Sequence, residues 1–479
     1  MPAIPGPRTP AQLFRVTRAF QRSLPEGLEH LHDTYGQVSA FGLGPTRTHF
    51  LFGPDANALV LGNQENFRFS GAYDMLRPIA GDTALVTTDG EPHARRKRKA
   101  RPSFHRGGAE KSTRLILAAI DEAIDRWRPG QYVDVHGTLR SAIRSAMLRQ
   151  FCGERLAAQE GTLVAELERI HELMDYPLPR QLVAWKLPSA ARRRALAAIA
   201  AVDRLLYEEI QRRRREGDPG GRGHRSGEGS RDLIAVMLSE DGPAMSDQEV
   251  RDMVVSALIA GYDPVGSGLG WAVYNCLNTP GVWQRLRDEA HDASSGDMSS
   301  GDGASRDGAS GDGASAARGR ELSYANWAVQ ESLRTHPPVV MSPRRCVRSF
   351  RYQGHLIPGG SLVAVSAYIT HRSPAVWARP DRFLPERWDA SREGYRAPTP
   401  FEYLPYGYGG RRCVGASIAS AVLPTALSRL ALRTTLNLRT RHPQFGGIPA
   451  LIPRDGLFVE VEAPPVREGA GGVLTRGPR

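Results

Sequence analysis

Lysine is nearly missing from this chain of 479 residues: of 63 basic residues only those at 97, 99, 111 and 186 are lysine. The arginine bias reads as GC-rich codon usage. Long hydrophobic runs are missing too. No stretch of about 18 or more apolar residues occurs, and Met1 to Pro10 lacks the charged-then-apolar pattern of a secretory leader. The chain is therefore expected to have no membrane anchor or leader and to be a cytoplasmic monomer. Cysteine is scarce. Cys152, Cys276, Cys346 and Cys413 fit neither a zinc site nor a disulfide framework, which suits a reducing compartment. Cys152 and Cys276 fall on apolar helical faces and are predicted core residues. There is no nicotinamide or flavin fingerprint, so reducing equivalents, if the chain needs them, come from another protein. The net charge of +12 lacks the aromatic interleaving of a nucleic-acid surface, which excludes that partner.

What is present is concentrated near the C-terminus. Tyr406-Gly407-Tyr408-Gly409-Gly410-Arg411-Arg412-Cys413-Val414-Gly415 is a glycine-rich loop carrying one cysteine, followed by an apolar run of helical spacing from Ile418 to Leu432. Cys413 thus sits where a loop becomes a helix, and amide N–H groups at a helix start favour a thiolate. The glycines allow positive φ and close approach of the backbone to a flat ligand. A thiolate so held is the axial iron ligand of one heme class. The stretch closely resembles the cysteine loop of the cytochromes P-450, aromatic-x-x-Gly-x-Arg-x-Cys-x-Gly, with Tyr406, Gly409, Arg411, Cys413 and Gly415 at the matched positions. Tyr406 stands where the family usually has Phe.

Further patterns in the right order strengthen the resemblance. Glu331 and Arg334 are spaced i, i+3 and share a helix face. Pro385-Glu386-Arg387-Trp388 resembles the segment whose arginine closes a Glu-Arg-Arg triad with that helix. The resemblance implies a triad of Glu331, Arg334 and Arg387 that holds the cysteine loop. It also implies that Arg344, with Arg345 as the alternative, meets a heme propionate, because a guanidinium suits a carboxylate. His93 matches the usual Trp or His of the segment after Asp89. Lys97, with Arg98 adjacent, stands where Arg is usual. The cofactor implied is heme b, and the implied partner is a ferredoxin or flavodoxin with its reductase. It would dock on a basic face built from the 95–101 run and Arg411/Arg412.

The fold implied is mainly α: a large helical domain with a small β-rich lobe over residues 25–465. An N-terminal extension (1–24) precedes it and a tail (466–479) follows. Val38 to Gly42 and Thr48 to Phe52 read as strands, Gly354 to Gly360 as a hairpin turn. Ile116, Ile120, Ala123, Ile124 and Trp127 share a helix face, as do Leu139, Ile143, Met147 and Phe151. Residues 217–230 and 294–319 are low-complexity insertions, the second with three near-identical repeats, and neither carries enough apolar surface to fold.

Ser246 to Asn278 reads as one long helix centred on Ala260-Gly261-Tyr262-Asp263-Pro264-Val265. The family usually has Ala-Gly-x-Asp/Glu-Thr-Thr, and Asp263 keeps the acid place of its proton relay. Pro264 replaces the threonine. It supplies neither hydroxyl nor N–H and, with Gly266, Gly268 and Gly270 following, predicts a kink. Ser267 is a candidate for the missing hydroxyl. The resemblance places Leu76, Ile79, Leu258, Tyr262, Val339, Val340, Met341 and Ile448 against the substrate, with residues 68–88 as a covering loop. The function expected is hydroxylation or epoxidation of a small apolar or amphipathic molecule, a secondary metabolite, using O2 and ferredoxin electrons. Because of Pro264, a peroxide-dependent or non-oxygenating heme-thiolate enzyme is the alternative. A catalytically inactive helper with the same fold is a remote one.

Overall fold

The computed structural model describes residues 2–105, 107–174, 188–217, 232–299, 323–447 and 450–463. Most are helical. The longest helix, Asp247–Asn278, runs through the centre of the molecule. Ser246 starts it with a capping box: its hydroxyl accepts from Glu249 N–H, and the Glu249 carboxylate accepts from Ser246 N–H. Two of the orphan donors at the helix start are thereby satisfied. Around this axis pack the helices Gly107–Asp125, Val135–Cys152, Ser323–Thr335 and Ala416–Arg433, and their apolar faces form the main core. Cys152 and Cys276 lie in that core, fully buried, as expected.

The helix is α-helical without interruption through Pro264. The glycines beyond it have a packing role rather than a bending one. A Cβ on Gly266 would lie 3.1 Å from the Arg140 Cα, and one on Gly270 3.0 Å from the His136 ring. Only glycine lets the Val135–Cys152 helix approach this closely.

The β-rich part is a five-stranded sheet in the order Val38–Phe41, Thr48–Leu51, Leu362–Val365, Ser342–Cys346, Phe67–Arg68. Thr48–Leu51 and Leu362–Val365 run parallel; the other neighbours are antiparallel. Beside it, Phe350–Tyr352 and His355–Ile357 form the expected hairpin. Its two-residue turn has Gln353 at φ 45° and Gly354 at φ 78°, the sign that favours a tight hairpin. The segment expected to precede the domain contains a helix, Pro10–Arg22, whose Val16 and Phe20 are buried against the sheet. The low-complexity insertions and the tail lie almost wholly outside the described residues, as does Ile448. Among the described residues, no helix is long and apolar enough to cross a membrane.

Candidate heme-thiolate site

Local chain geometry builds the cysteine loop. Gly407 and Gly409 both take positive φ, 68° and 62°. The turn they allow is closed by Cys413 N–H donating to the Tyr406 carbonyl at 2.8 Å. Gly415 caps the helix that starts at Ala416, and its amide hydrogen-bonds the Cys413 thiol. Burial pushes the thiol pKa up, opposed by that amide and by the charges of Arg412 and Lys97. Yet the Cys413 side chain is accessible to solvent. A group both desolvated by surrounding protein and accessible lines the floor of a recess.

The wall of the recess comes from the long helix. Between Val250 and Val273 only Ser256, Ala257, Ile259, Ala260, Gly261 and Pro264 are not buried, and Ala260 is fully exposed. At about 100° per residue these positions share one side of the helix. The Ala416–Arg433 helix packs on the long helix where Leu423 meets Gly268, which brings Cys413 beside this open stripe. The proline also changes the stripe: without an N–H at Pro264, the Ala260 carbonyl loses its helical donor.

Charge gathers at one edge. Arg344 is 4% exposed and lies over the Phe69 ring, its guanidinium 3.8 Å from the ring centroid, while Arg411 lies 4.4 Å from the same centroid. Arg411 donates to the carbonyls of Leu85 and Thr88 at 2.8 and 2.6 Å and pairs with Asp89. Burial drives the Arg344 pKa down to about 10, and it lowers Arg411 and Lys97 as well. His93 is brought down to about 4, first by burial and then by Arg411 and Lys97. These basic groups crowd around a single carboxylate, Asp89. Such a cluster is short of anions, and it fits a ligand bringing carboxylates of its own. Arg345, the alternative to Arg344, instead donates to the carbonyls of Gly360 and Gly71.

Behind the loop the structure brings Glu331, Arg334 and Arg387 together. Arg334 forks onto Glu331 at 2.9 and 2.8 Å, and Arg387 Nε reaches Glu331 Oε1 at 3.3 Å. Trp388 Nε1 and Leu384 N–H complete the carboxylate shell, each at 3.0 Å. Both Glu331 and Arg334 are wholly buried. The ring of Tyr403, whose hydroxyl donates to the Gln330 carbonyl, packs on Trp388 and leads directly into the cysteine loop.

The family model for cytochrome P450 matches residues 5–444. A putative cytochrome P450 of Mycobacterium tuberculosis, P450 139, is 32% identical over 91% of this chain and 97% of its own length. The chain belongs to the cytochrome P450 family. It is a heme-thiolate monooxygenase, with heme b as the family cofactor. Cyclooctat-9-en-7-ol 5-monooxygenase of Streptomyces melanosporofaciens is 27% identical over 88% of this chain and 86% of its own length. The solved structure of a retinoic acid bound cyanobacterial P450, CYP120A1, superposes with a TM-score of 0.77 at 22% identity, covering 96% of this chain and 100% of that one.

Several sequence expectations need correction. Leu258 and Tyr262 lie about 160° round the helix from Ala260. Both are buried in the core, with the Tyr262 ring beneath Arg140 and Arg144. Ile79 and Val340 are also core residues, whereas Leu76 and Met341 are partly exposed and Val339 is 43% exposed. Ser267 is fully buried and donates to the Leu451 carbonyl at 2.5 Å, so its hydroxyl is committed to structure. Of the basic run, Arg95 and Arg96 bind Glu249, and Lys99 binds the carbonyls of Ser239 and Asp241. Arg98, Arg101 and Arg412 remain exposed, while Lys97 Nζ donates to the Gly410 and Arg412 carbonyls. Arg140, which meets Asp263, and Trp388, which meets Glu331, were missed. Trp388 follows Arg387 directly and was findable; Arg140 carries no local signal.

Proposed function

We propose that this P450 inserts one oxygen atom from O2 into a small, largely apolar molecule carrying an oxygen function, drawing electrons from a ferredoxin or flavodoxin and its reductase. The single observation that carries this reading is the accessible Cys413 thiol at the floor of a recess, with an anion-poor cluster at its edge. Cys413 would be the axial ligand. His93, Lys97, Arg344 and Arg411 would hold the propionates, and Tyr406, Gly409 and Gly415 would shape the loop against the macrocycle. When bound, heme with an axial thiolate supplies the electron density that favours O–O cleavage.

The chain's own residues would do the rest. Glu331, Arg334 and Arg387 fix the loop. Asp263 lies about 60° round the helix from Ala260, at the margin of the open stripe, and would exchange protons with water there. The Ala260 carbonyl, released by Pro264, gives that water an acceptor in place of the missing threonine hydroxyl. Two related proteins support the substrate class, since the names of both include an oxygen-bearing compound of mainly hydrocarbon character: cyclooctat-9-en-7-ol and retinoic acid. A role in secondary metabolism accords with the first. Arg98, Arg101 and Arg412 would receive the acidic face of the electron carrier.

Pro264 also favours a second reading, turnover driven by hydrogen peroxide, in which no relay is needed. Arg140 counts against a fatty-acid peroxygenase, because it already pairs with Asp263 and Glu168. The test has two parts. Reduced protein with carbon monoxide should give the red-shifted Soret band of thiolate ligation, and Cys413→Ala should abolish it; a histidine-type band would overturn the assignment. Product formation with ferredoxin, reductase and NADPH, against peroxide alone, then separates the two oxidants.

A further inference from the structure

Adjacent residues on the long helix, Arg251 and Asp252, connect two elements that lie on either side of the recess. Both are charged and almost fully buried, at 4% and 1% exposure. Asp252 Oδ2 accepts from the Thr83 amide at 2.9 Å and from the Thr83 hydroxyl at 2.8 Å. Arg251 donates to Asp252 Oδ1 at 3.0 Å and, through Nε, to Asp203 Oδ1 at 2.6 Å. Asp203 belongs to the helix Ala190–Glu216. Gly81, at φ +90°, is pressed onto the carboxylate so closely that a Cβ would lie 2.0 Å from Asp252 Oδ1.

The segment held there is a folded unit. Arg77 binds Asp74 and Asp82 at 2.8 Å each and the Thr87 carbonyl at 3.2 Å. The Thr87 hydroxyl donates to the Gly81 carbonyl at 2.9 Å. At its far end Arg411, two residues before Cys413, holds the Leu85 and Thr88 carbonyls. Residues 74–88 therefore span from the cysteine loop to the long helix, anchored at both ends. The Arg411 end belongs to the heme site and must stay. The Asp252 end touches nothing that reacts.

We propose that the Asp203–Arg251–Asp252–Thr83 chain is a latch. It holds the 74–88 segment and the Ala190–Glu216 helix together over the recess and sets how fast ligands pass. The inference rests on the heme-thiolate reading and on residues 68–88 covering the substrate. A latch changes rates of passage in both directions and leaves the bound complex alone.

The test uses the heme-loaded full chain and phenylimidazole, whose nitrogen binds ferric iron and shifts the Soret band. Stopped-flow mixing gives association and dissociation rates for wild type, Thr83→Val, Asp252→Asn and the distant control Thr425→Val. Thr83→Val should raise both rates about three- to ten-fold, the worth of one hydrogen bond, with Kd changed less than about two-fold. Asp252→Asn should exceed it. Hydrogen exchange should rise in residues 74–88 and not in Ala416–Arg433. Unchanged rates in a folded Thr83→Val overturn the latch, as does a change confined to dissociation, which marks direct ligand contact. A wild type that binds carbon monoxide as a thiolate protein but shows unaltered rates in both variants fails the latch alone. A wild type lacking both spectral responses fails the heme reading, and the latch with it.

Discussion

Arg140 Nε donates to Asp263 Oδ1 across 2.6 Å, joining the Val135–Cys152 helix to the centre of the long helix. Burial by itself lowers the Arg140 pKa, but Asp263, Tyr262 and Glu168 more than reverse the effect, so the guanidinium stays charged. Arg140 Nη1 also reaches Glu168 at 3.2 Å, and Arg144 reaches the same carboxylate at 2.7 Å. The proposed relay acid is thus part of a network that ends at a half-exposed glutamate.

The two halves of that pair should respond differently. Asp263→Asn keeps an acceptor for Arg140, which retains Glu168, so the protein should fold and keep its carbon monoxide band. Its ferredoxin-driven turnover should fall roughly 10²-fold, as for loss of a positioned proton-transfer group. An undiminished rate would rule out Asp263 as the relay acid. Arg140→Ala strands a buried carboxylate and should lower stability by about 3–5 kcal/mol, read from denaturant midpoints.

Glu331→Ala should be more damaging to heme retention than any surface change. It removes the only carboxylate from a wholly buried Arg334 and from Arg387, and breaking such a buried pair costs about 3–5 kcal/mol. The cysteine loop stands on this cluster. Heme content per chain and the thermal midpoint should fall together. A normal heme content with a lowered midpoint would show that the triad stabilises the fold without positioning the loop.

The glycines after Pro264 allow a prediction of opposite signs. At Gly268 an added Cβ finds its nearest neighbour, a Leu423 methyl, at 3.4 Å, ordinary contact. Gly268→Ala should therefore gain up to about 1 kcal/mol of helix propensity. At Gly266 the neighbour at 3.1 Å is the Arg140 backbone, which cannot swing aside. Overpacking of this kind costs about 1–3 kcal/mol and outweighs the same propensity gain. Thermal midpoints of the two variants on opposite sides of wild type would bear this out.

Buried neutral histidines should make the protein acid-sensitive. His371 accepts the Leu404 N–H at 3.0 Å through Nε2, and burial, reinforced by Arg334, brings its pKa from the ordinary 6.5 down to about 3. His93 and His136 are brought to about 4, chiefly by burial. Below pH 6.5 the unfolded chain takes up protons that the folded chain refuses. Stability is therefore lost as pH falls from 6.5 towards 4, and each histidine contributes up to about 1.4 kcal/mol per pH unit. His371→Gln offers Leu404 an uncharged acceptor, and its midpoint should fall less steeply between pH 6.5 and 5. An identical slope would exclude His371 as a source.

What the sequence by itself determined is what short covalent spacing determines. The cysteine loop needs a few consecutive residues with glycine where φ is positive. Glu331 and Arg334 meet because i and i+3 share a helix face. The long helix, its capping box and the hairpin at Gln353-Gly354 follow from local pattern in the same way. Tertiary structure decided the rest. Which side of the long helix stays open depends on where Val135–Cys152 packs, and periodicity alone put Leu258 and Tyr262 on the wrong side. The closeness of that packing turned Gly266 and Gly270 from helix weakeners into contact points. Neighbouring elements divided the basic run, taking Arg95, Arg96 and Lys99 inward and leaving Arg98 and Arg101 in water. Arg140 and Asp263 are 123 positions apart, and no local rule relates them. Their pairing exists only because folding desolvates both charges in the same place.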